Sequence, residues 1–327
     1  MSRIVLLTGS WLMRLALLST FMATASWCQG TPPMRTRYLT SLTNAEIDEY
    51  LKRNDIIFVP VGVVEVHGGF PVDCEYVGAL AWAQKLAEEV DGLVLPNLSY
   101  FYPGGTSPAS GTVLVEPSEE TAYLTAIARS LLRQGFRRQI YLAGHMPFII
   151  TPWIREFFDE TKVPILYLPT QGLAAKGQAG AGADAQGGPG ARTQSGRGAD
   201  RPQDLAENVQ TLLYGAYSIV GRLEDIPLNV SEPPPPPHPV NEAYKKLNAL
   251  GTGSNTVGNF YTYPADHAGT AHPITAEQRA EWAKQGVAQI EAGVKASDIK
   301  AIVQALRDHD KFIQEVTLPA NGSLIPK

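Results

Sequence analysis

Side chains suited to acid–base and metal chemistry cluster where two predicted strands end. Glu65 and His67 stand two residues apart on an apolar run, so they project to the same face of a strand. Asp73 follows six residues after His67, and His145 closes a second apolar run. Any one strand-end histidine is more often a surface residue. Together, however, carboxylates and imidazoles form the ligand set that zinc, manganese and iron accept, and they predict a site for one or two ions.

A third group of such residues is the segment 266–272, with the sequence DHAGTAH. His267 and His272 stand five residues apart in it. One interpretation is a turn with solvated imidazoles. The other is that one histidine completes the metal site while the other moves a proton, since imidazole titrates near neutral pH. His238, among prolines, and His309, on a charged helical segment, are assigned to the surface.

Alternating strand and helix patterns must position these residues. The apolar, β-branched run Ile56–His67 fits a strand buried on both faces. Further strands are predicted over 93–95, 138–145 and 163–168, and helices over 43–53, 76–90, 117–134, 150–161, 204–222 and 275–314. This alternation predicts an α/β fold, a three-layer α/β/α sandwich with a mostly parallel central sheet. Such sheets place ligand sites at the carboxyl ends of their strands, where the acid–base residues stand.

The first 25 residues have the pattern of a secretory signal peptide. Arg3 and Arg14 are their only charged residues, and a short apolar run ends in the small-x-small sequence Ala23-Thr24-Ala25. Trp27 before Cys28 disfavours a lipid-anchored cysteine. We therefore expect an exported protein, periplasmic or secreted. Removal of the two arginines changes the net charge from −5 to −7.

Residues 31–327 are expected to form a single domain with one insertion. Composition excludes a disordered chain, because 44% of the residues are apolar and 18% are charged. The segment 171–202 is rich in Gly and Ala and lacks apolar periodicity, which indicates a flexible insertion, either a mobile lid or a solvated expansion. With two cysteines, no structural disulfide is expected. Basic runs are absent from the sequence, so we expect neither a nucleic-acid partner nor a membrane partner after signal cleavage.

Several motifs resemble the creatininase (creatinine amidohydrolase) family. The stretch VPVGVVEVHGGFPVDCEYVGALAWA is similar to its first signature, in which Glu-x-His-Gly closes a strand and an Asp follows a short loop. Gly111-Thr112, the strand that ends at His145, and the His-Ala-Gly that begins at His267 resemble later elements in the same order. The resemblance covers residues 56–272, apart from the insertion.

The resemblance implies a three-layer α/β/α fold, a homo-oligomer and a two-metal centre that hydrolyses cyclic amides and related C–N bonds. By position, Glu65 and His145 would hold one ion, His67 the other, and Asp73 would bridge them. His267 would donate a proton to the leaving group. A metal-activated water would then attack a carbonyl of the substrate.

The chain also departs from the family pattern. The loop between His67 and Asp73 is shorter and lacks the second histidine, and Met146-Pro147 replaces a segment that can supply a carboxylate. At the position of a downstream Glu stands His272. The hypothesis is that His272 replaces that Glu as a metal ligand, which would make the second site richer in nitrogen and favour zinc or another late transition metal. The competing possibility is a single-metal site or a site that has lost an ion.

The predicted function is hydrolysis of a small cyclic amide, with Glu65 and His267 as catalytic residues. One alternative is a metal-dependent enzyme for a lactone or a cyclic keto-sugar or inositol derivative. Another is a non-catalytic exported binding protein with the same fold. The aromatic segments 100–102 and 261–263 either line the pocket or belong to the core.

Overall fold

Helices and strands alternate along the chain in the computed structural model, which describes residues 34–145, 147–179, 203–229, 242–249, 258, 260 and 273–325. The strands are β1 (Ile56–Val61), β2 (Leu93–Val94), β3 (Arg138–Ala143) and β4 (Leu166–Pro169). The helices are α1 (Asn44–Leu51), α2 (Cys74–Glu89), α3 (Pro117–Gln134), α4 (Pro147–Thr161), α5 (Thr170–Ala179), α6 (Gln203–Ile219), α7 (Glu242–Ala249), α8 (Ala276–Ser297), α9 (Ile299–Phe312) and α10 (Leu318–Asn321). Short 3₁₀ turns occupy Leu39–Ser41, Gly104–Thr106 and Leu223–Asp225, and a π-helical segment spans Ile313–Thr317.

The four strands form one sheet in the order β2-β1-β3-β4, and every pairing is parallel. Val61, the last residue of β1, pairs with Ala143, the last residue of β3. Parallel strands end at a common edge, so the segments that follow these two residues leave the sheet side by side. This register explains why Glu65 and His145 are neighbours although 80 positions separate them in the sequence.

Side chains on both faces of β3 are buried against helices. Ile140 and Leu142 belong to a hydrophobic core that includes Trp82 of α2 together with residues of α6 and α8. Tyr141 projects to the other face, where its ring packs edge-on against Trp153 of α4 with the centroids 4.9 Å apart. Successive strand residues point to opposite faces, so helices cover both sides of the sheet. The predicted three-layer α/β/α architecture is confirmed.

Capping residues set several helix ends where the sequence predicts them. The Thr43 side chain accepts the Glu46 N–H and the Glu46 carboxylate accepts the Thr43 N–H, which begins α1. Gly135 ends α3 in the left-handed region at φ 107°. The prediction of one helix over 275–314 is wrong at Asp298, which has φ 50° and separates α8 from α9. Its carboxylate accepts the Ala301 N–H and thereby caps α9.

The first strand is shorter than its apolar run predicts, because it leaves the sheet after Val61. Gly62 marks the point of departure: a Cβ there would lie 2.4 Å from the Cα of Tyr76, so only glycine admits the first turn of α2. Beyond it, the Glu65 N–H donates to the Val72 carbonyl at 2.8 Å instead of to a neighbouring strand. The close approach of α2 to β1 therefore replaces the end of the predicted strand with a hydrogen-bonded loop.

Some predicted features fall partly or wholly outside the described residues. The signal sequence and residues 180–202 of the insertion are in this group and stay predictions. The insertion itself begins as helix, since α5 covers 170–179 and buries Leu173 in the core. From Arg37 onward the described residues form one compact unit. Within the described part, no helix has the length and apolar character needed to cross a membrane.

Candidate functional site

Three ionisable side chains converge at the carboxyl edge of the sheet. Glu65 follows β1, Glu75 lies in the first turn of α2, and His145 follows β3. Each offers one potential ligand atom, and these atoms lie within 4.8 Å of one another. The Nδ1 atom of His145 is 2.6 Å from Glu75 Oε2 and 3.2 Å from Glu65 Oε1. We refer to these three residues as the Glu–Glu–His cluster.

Glu65 is held rigidly by the loops around it. The Thr106 hydroxyl donates a hydrogen bond to Glu65 Oε2, and both side chains are 1% exposed. The next residue, Val66, donates its N–H to Thr112 Oγ1 at 3.1 Å. Hydrogen bonds from the segment 104–112 thus hold the loop that carries Glu65. The Glu65 carboxylate therefore has a defined orientation toward His145.

The charges within the cluster stabilise one another. Burial alone would lower the pKa of His145, but the negative charges of Glu75 and Glu65 close to Nδ1 raise it to about 10. Burial would raise the pKa of Glu75, yet the positive charge of His145 outweighs it and the pKa is lowered. In the metal-free cluster these charges therefore favour a positive imidazolium beside an ionised Glu75.

The composition and geometry of the cluster fit a divalent cation. Two carboxylates aim at the same imidazole nitrogen, so a cation that displaces its proton would meet two oxygens and one nitrogen. The second ring nitrogen of His145, the buried Nε2, has no hydrogen-bond partner in the described part of the chain. Three protein ligands are the number that catalytic zinc sites use, with a further position for water or substrate.

Asp73, a predicted bridging ligand, is directed away from this cluster. Its Oδ1 accepts a hydrogen bond from the Tyr217 hydroxyl at 2.9 Å, and its Oδ2 pairs with Nη1 of Arg222 at 2.6 Å. The Arg222 guanidinium also lies over the Tyr217 ring, 5.4 Å from the centroid. Tyr217 of α6 and Arg222, just after α6, thus bind both oxygens of Asp73. The structure therefore does not bring Asp73 into contact with the other predicted ligands.

Glu75 lies in the cluster at the place expected for Asp73, and the sequence analysis did not predict this residue. Asp73 is the N-cap of α2 and Glu75 lies two residues on, which turns the side chains apart by about 200° around the helix axis. One signal was available. Glu75 precedes Ala79 and Trp82 at helical spacing, and both are buried, so its carboxylate stands on a buried stripe of the helix.

The remaining predicted site residues are the histidines. His67 is not a member of the three-residue cluster, but its charge contributes to the lowered pKa of Glu75, so the two side chains act on one another. His267 and His272 lie outside the described residues, and their roles as proton donor and metal ligand stay predictions. His309 is exposed on α9, as predicted, and His238 also lies outside the described part.

A small cavity adjoins the cluster, with His145 in its wall. Most of its lining is apolar and includes Phe101 and Ile150. Tyr102 and Glu120 add polar groups, and Glu120 Oε2 accepts the Tyr102 N–H at 3.0 Å. Burial raises the pKa of Glu120, which is 2% exposed. The cavity thus offers an apolar space, one buried carboxylate and one face of the cluster.

Sequence comparison relates this region to known enzymes. A family model for creatininase, described as creatinine amidohydrolase, matches residues 40–185. A 3-dehydro-scyllo-inosose hydrolase from Thermotoga maritima is 30% identical over 134 residues, which is 40% of this chain and 43% of the relative. A creatinine amidohydrolase from Pseudomonas putida is 31% identical over 117 residues, 33% of this chain and 44% of the relative. The chain therefore matches less than half the length of these curated relatives.

Comparison of folds extends the similarity over more of the chain. A solved mutant creatininase of Zn-Zn type superimposes with a TM-score of 0.52 at 20% sequence identity, covering 84% of this chain and 99% of that chain. At this identity the likeness concerns the fold. The sequence match to the family model includes the whole Glu–Glu–His cluster, whereas His267 and His272 lie beyond it.

Proposed function

Because the chain belongs to the creatininase family over residues 40–185, we propose that it is a metal-dependent hydrolase of a small cyclic substrate. The observation that carries the proposal is the Glu–Glu–His cluster, in which one buried and one half-buried carboxylate are directed at one imidazole nitrogen beside a cavity. The names of both curated relatives denote hydrolases of small ring compounds, which supports the reaction type.

Zinc is the proposed metal, with manganese and iron as alternatives. An imidazole and two carboxylates suit all three ions, and the similar solved creatininase is of Zn-Zn type. Glu65, Glu75 and His145 would hold one ion. His67 would hold a second ion, as the family resemblance implies. His272 remains our proposal for completing that second site.

Both the bound ion and the side chains of the protein would contribute to the reaction. When bound, a divalent ion lowers the pKa of a coordinated water and polarises a substrate carbonyl. Thr106 fixes the orientation of Glu65, and the buried position of both limits the access of bulk water. Phe101 and Ile150 would pack against the substrate ring. His267 is proposed to deliver a proton to the leaving group.

A cyclic amide of the creatinine type is the proposed substrate, and a cyclic keto-inositol derivative is the second candidate. The apolar lining near Phe101 and Ile150 favours a flat ring with few polar groups. Each hydroxyl of a polyol buried there would need a hydrogen-bond partner or cost about 1–3 kcal/mol. The second candidate is kept because the inosose hydrolase is 30% identical to this chain over 134 residues. Action after export, in a homo-oligomer, is also proposed, from the predicted signal sequence and the family resemblance.

A substrate screen tests the proposed function. Zinc-loaded and manganese-loaded protein is incubated with creatinine, with 3-dehydro-scyllo-inosose and with a simple lactone, and hydrolysis is followed for each ring. We expect turnover of one ring, lost on chelation and reduced by more than about 100-fold in Glu65→Gln. Glu119→Gln, an exposed carboxylate on α3, is the matched control. Metal binding without turnover of any of the three would instead favour the non-catalytic binding protein, and activity that survives in Glu65→Gln would refute the metal mechanism.

A further inference from the structure

The two ring nitrogens of His145 have different surroundings. Nδ1 faces Glu65 and Glu75 at 3.2 and 2.6 Å. Nε2 is buried, and within the described residues no group accepts a hydrogen bond from it. A histidine that binds a metal through one nitrogen almost always donates its other N–H to a carboxylate, a carbonyl or a water, which fixes the ring and its tautomer. The other side of the His145 ring is where such an acceptor should lie.

Glu120 is a buried carboxylate in the wall of the cavity that adjoins this ring. It lies in the first turn of α3 and lines the same cavity as His145. One of its oxygens accepts the Tyr102 N–H at 3.0 Å, which anchors the side chain. Burying a carboxylate beside apolar side chains is costly, so a partner is expected when the site is complete.

We propose that Glu120 is a positioning residue for His145, accepting the Nε2 hydrogen through a single water molecule in the cavity. The small cavity that both side chains line has room for a water molecule. Glu120 then holds the proton on Nε2 and leaves the Nδ1 lone pair for the metal. This inference rests on the proposed function, because it assigns His145 as a metal ligand.

Zinc titration of the metal-free protein is the first test. Loss of such an outer partner typically weakens metal affinity 10- to 100-fold, and we expect a drop of about 10-fold or more for Glu120→Gln. Glutamine retains the acceptor for the Tyr102 N–H, so the local fold is kept. Glu119→Gln removes the same charge from the neighbouring exposed position of α3 and should bind zinc as the wild type does.

A spectroscopic measurement separates positioning from a general loss of stability. In zinc-loaded protein labelled with ¹⁵N-histidine, the His145 Nε2 proton should be protected from exchange, and that protection should fall in Glu120→Gln. Wild-type affinity and unchanged protection in this variant would overturn the inference alone, provided that Glu75→Gln abolishes binding. Failure of the wild type to bind zinc, manganese or iron would overturn the inference and the proposed function together.

Discussion

The Nδ1 atom of His145 lies 2.6 Å from Oε2 of Glu75, and this contact joins the end of β3 to the first turn of α2. The contact depends on how closely α2 approaches β1. Gly62 permits that approach, because a Cβ at this position would lie 2.4 Å from the Cα of Tyr76, the neighbour of Glu75. One glycine in the strand-to-loop transition therefore sets the position of a carboxylate in the next helix.

The Thr106 hydroxyl should tune metal binding through Glu65. In Thr106→Val the shape is retained but the hydrogen bond to Glu65 Oε2 is lost, which leaves a buried carboxylate oxygen without its donor. We expect zinc affinity to fall about 10-fold, measured by competition with a chromophoric chelator. Thr106→Ser retains the hydroxyl and should restore most of the affinity. Equal affinities for the Val and Ser variants would show that the hydroxyl does not orient Glu65.

Asp73 should matter for stability rather than for metal binding. Asp73→Ala removes the acceptor of the buried Tyr217 hydroxyl and one partner of Arg222. The expected loss in the free energy of unfolding is about 2 kcal/mol, measured by urea denaturation. Asp225, the exposed second partner of Arg222, provides the control, and Asp225→Ala should cost less than about 1 kcal/mol. Similar losses in the two variants would contradict a structural role specific to Asp73.

The buried Glu120 should make metal-free stability depend on pH. Because burial raises the pKa of Glu120, its contribution to folding is fully present below the unfolded value of about 4.3 and is lost as the pH rises through the folded value. Glu120→Gln does not ionise, so its free energy of unfolding should rise relative to the wild type between pH 4 and pH 7. Urea denaturation at both pH values measures this, and a constant difference would contradict it.

Much of the fold follows from local patterns in the sequence. The run Ile56–His67 and the capping signals at Thr43 and Thr275 are local features, and each produces the expected type of element. The alternation of these elements is enough to predict parallel strands with helices on both faces. What the patterns do not show is the end of β1 at Val61, because that end depends on contact between Gly62 and a helix distant in the chain.

The candidate site likewise combines features that local sequence patterns predict with features that depend on contacts in the folded chain. Glu65 and His145 were predicted correctly as neighbours, since both follow strands whose ends are paired in one parallel sheet. Asp73 and Glu75 both follow His67 closely, and spacing alone did not distinguish them. Which of these two carboxylates joins the cluster depends on the rotation of α2 about its axis and on the attraction of Arg222 for Asp73. Both arise only in the folded chain.

Zinc binding by matched variants of Glu75 and Asp73 tests the central claim most directly. Equilibrium dialysis of the metal-free protein against zinc would measure the affinity and stoichiometry of the wild type, of Glu75→Gln and of Asp73→Asn. If Glu75 is the ligand that joins Glu65 and His145, Glu75→Gln should lower the affinity by more than about 100-fold, whereas Asp73→Asn should bind as the wild type does. Full affinity in Glu75→Gln together with its loss in Asp73→Asn would contradict the account.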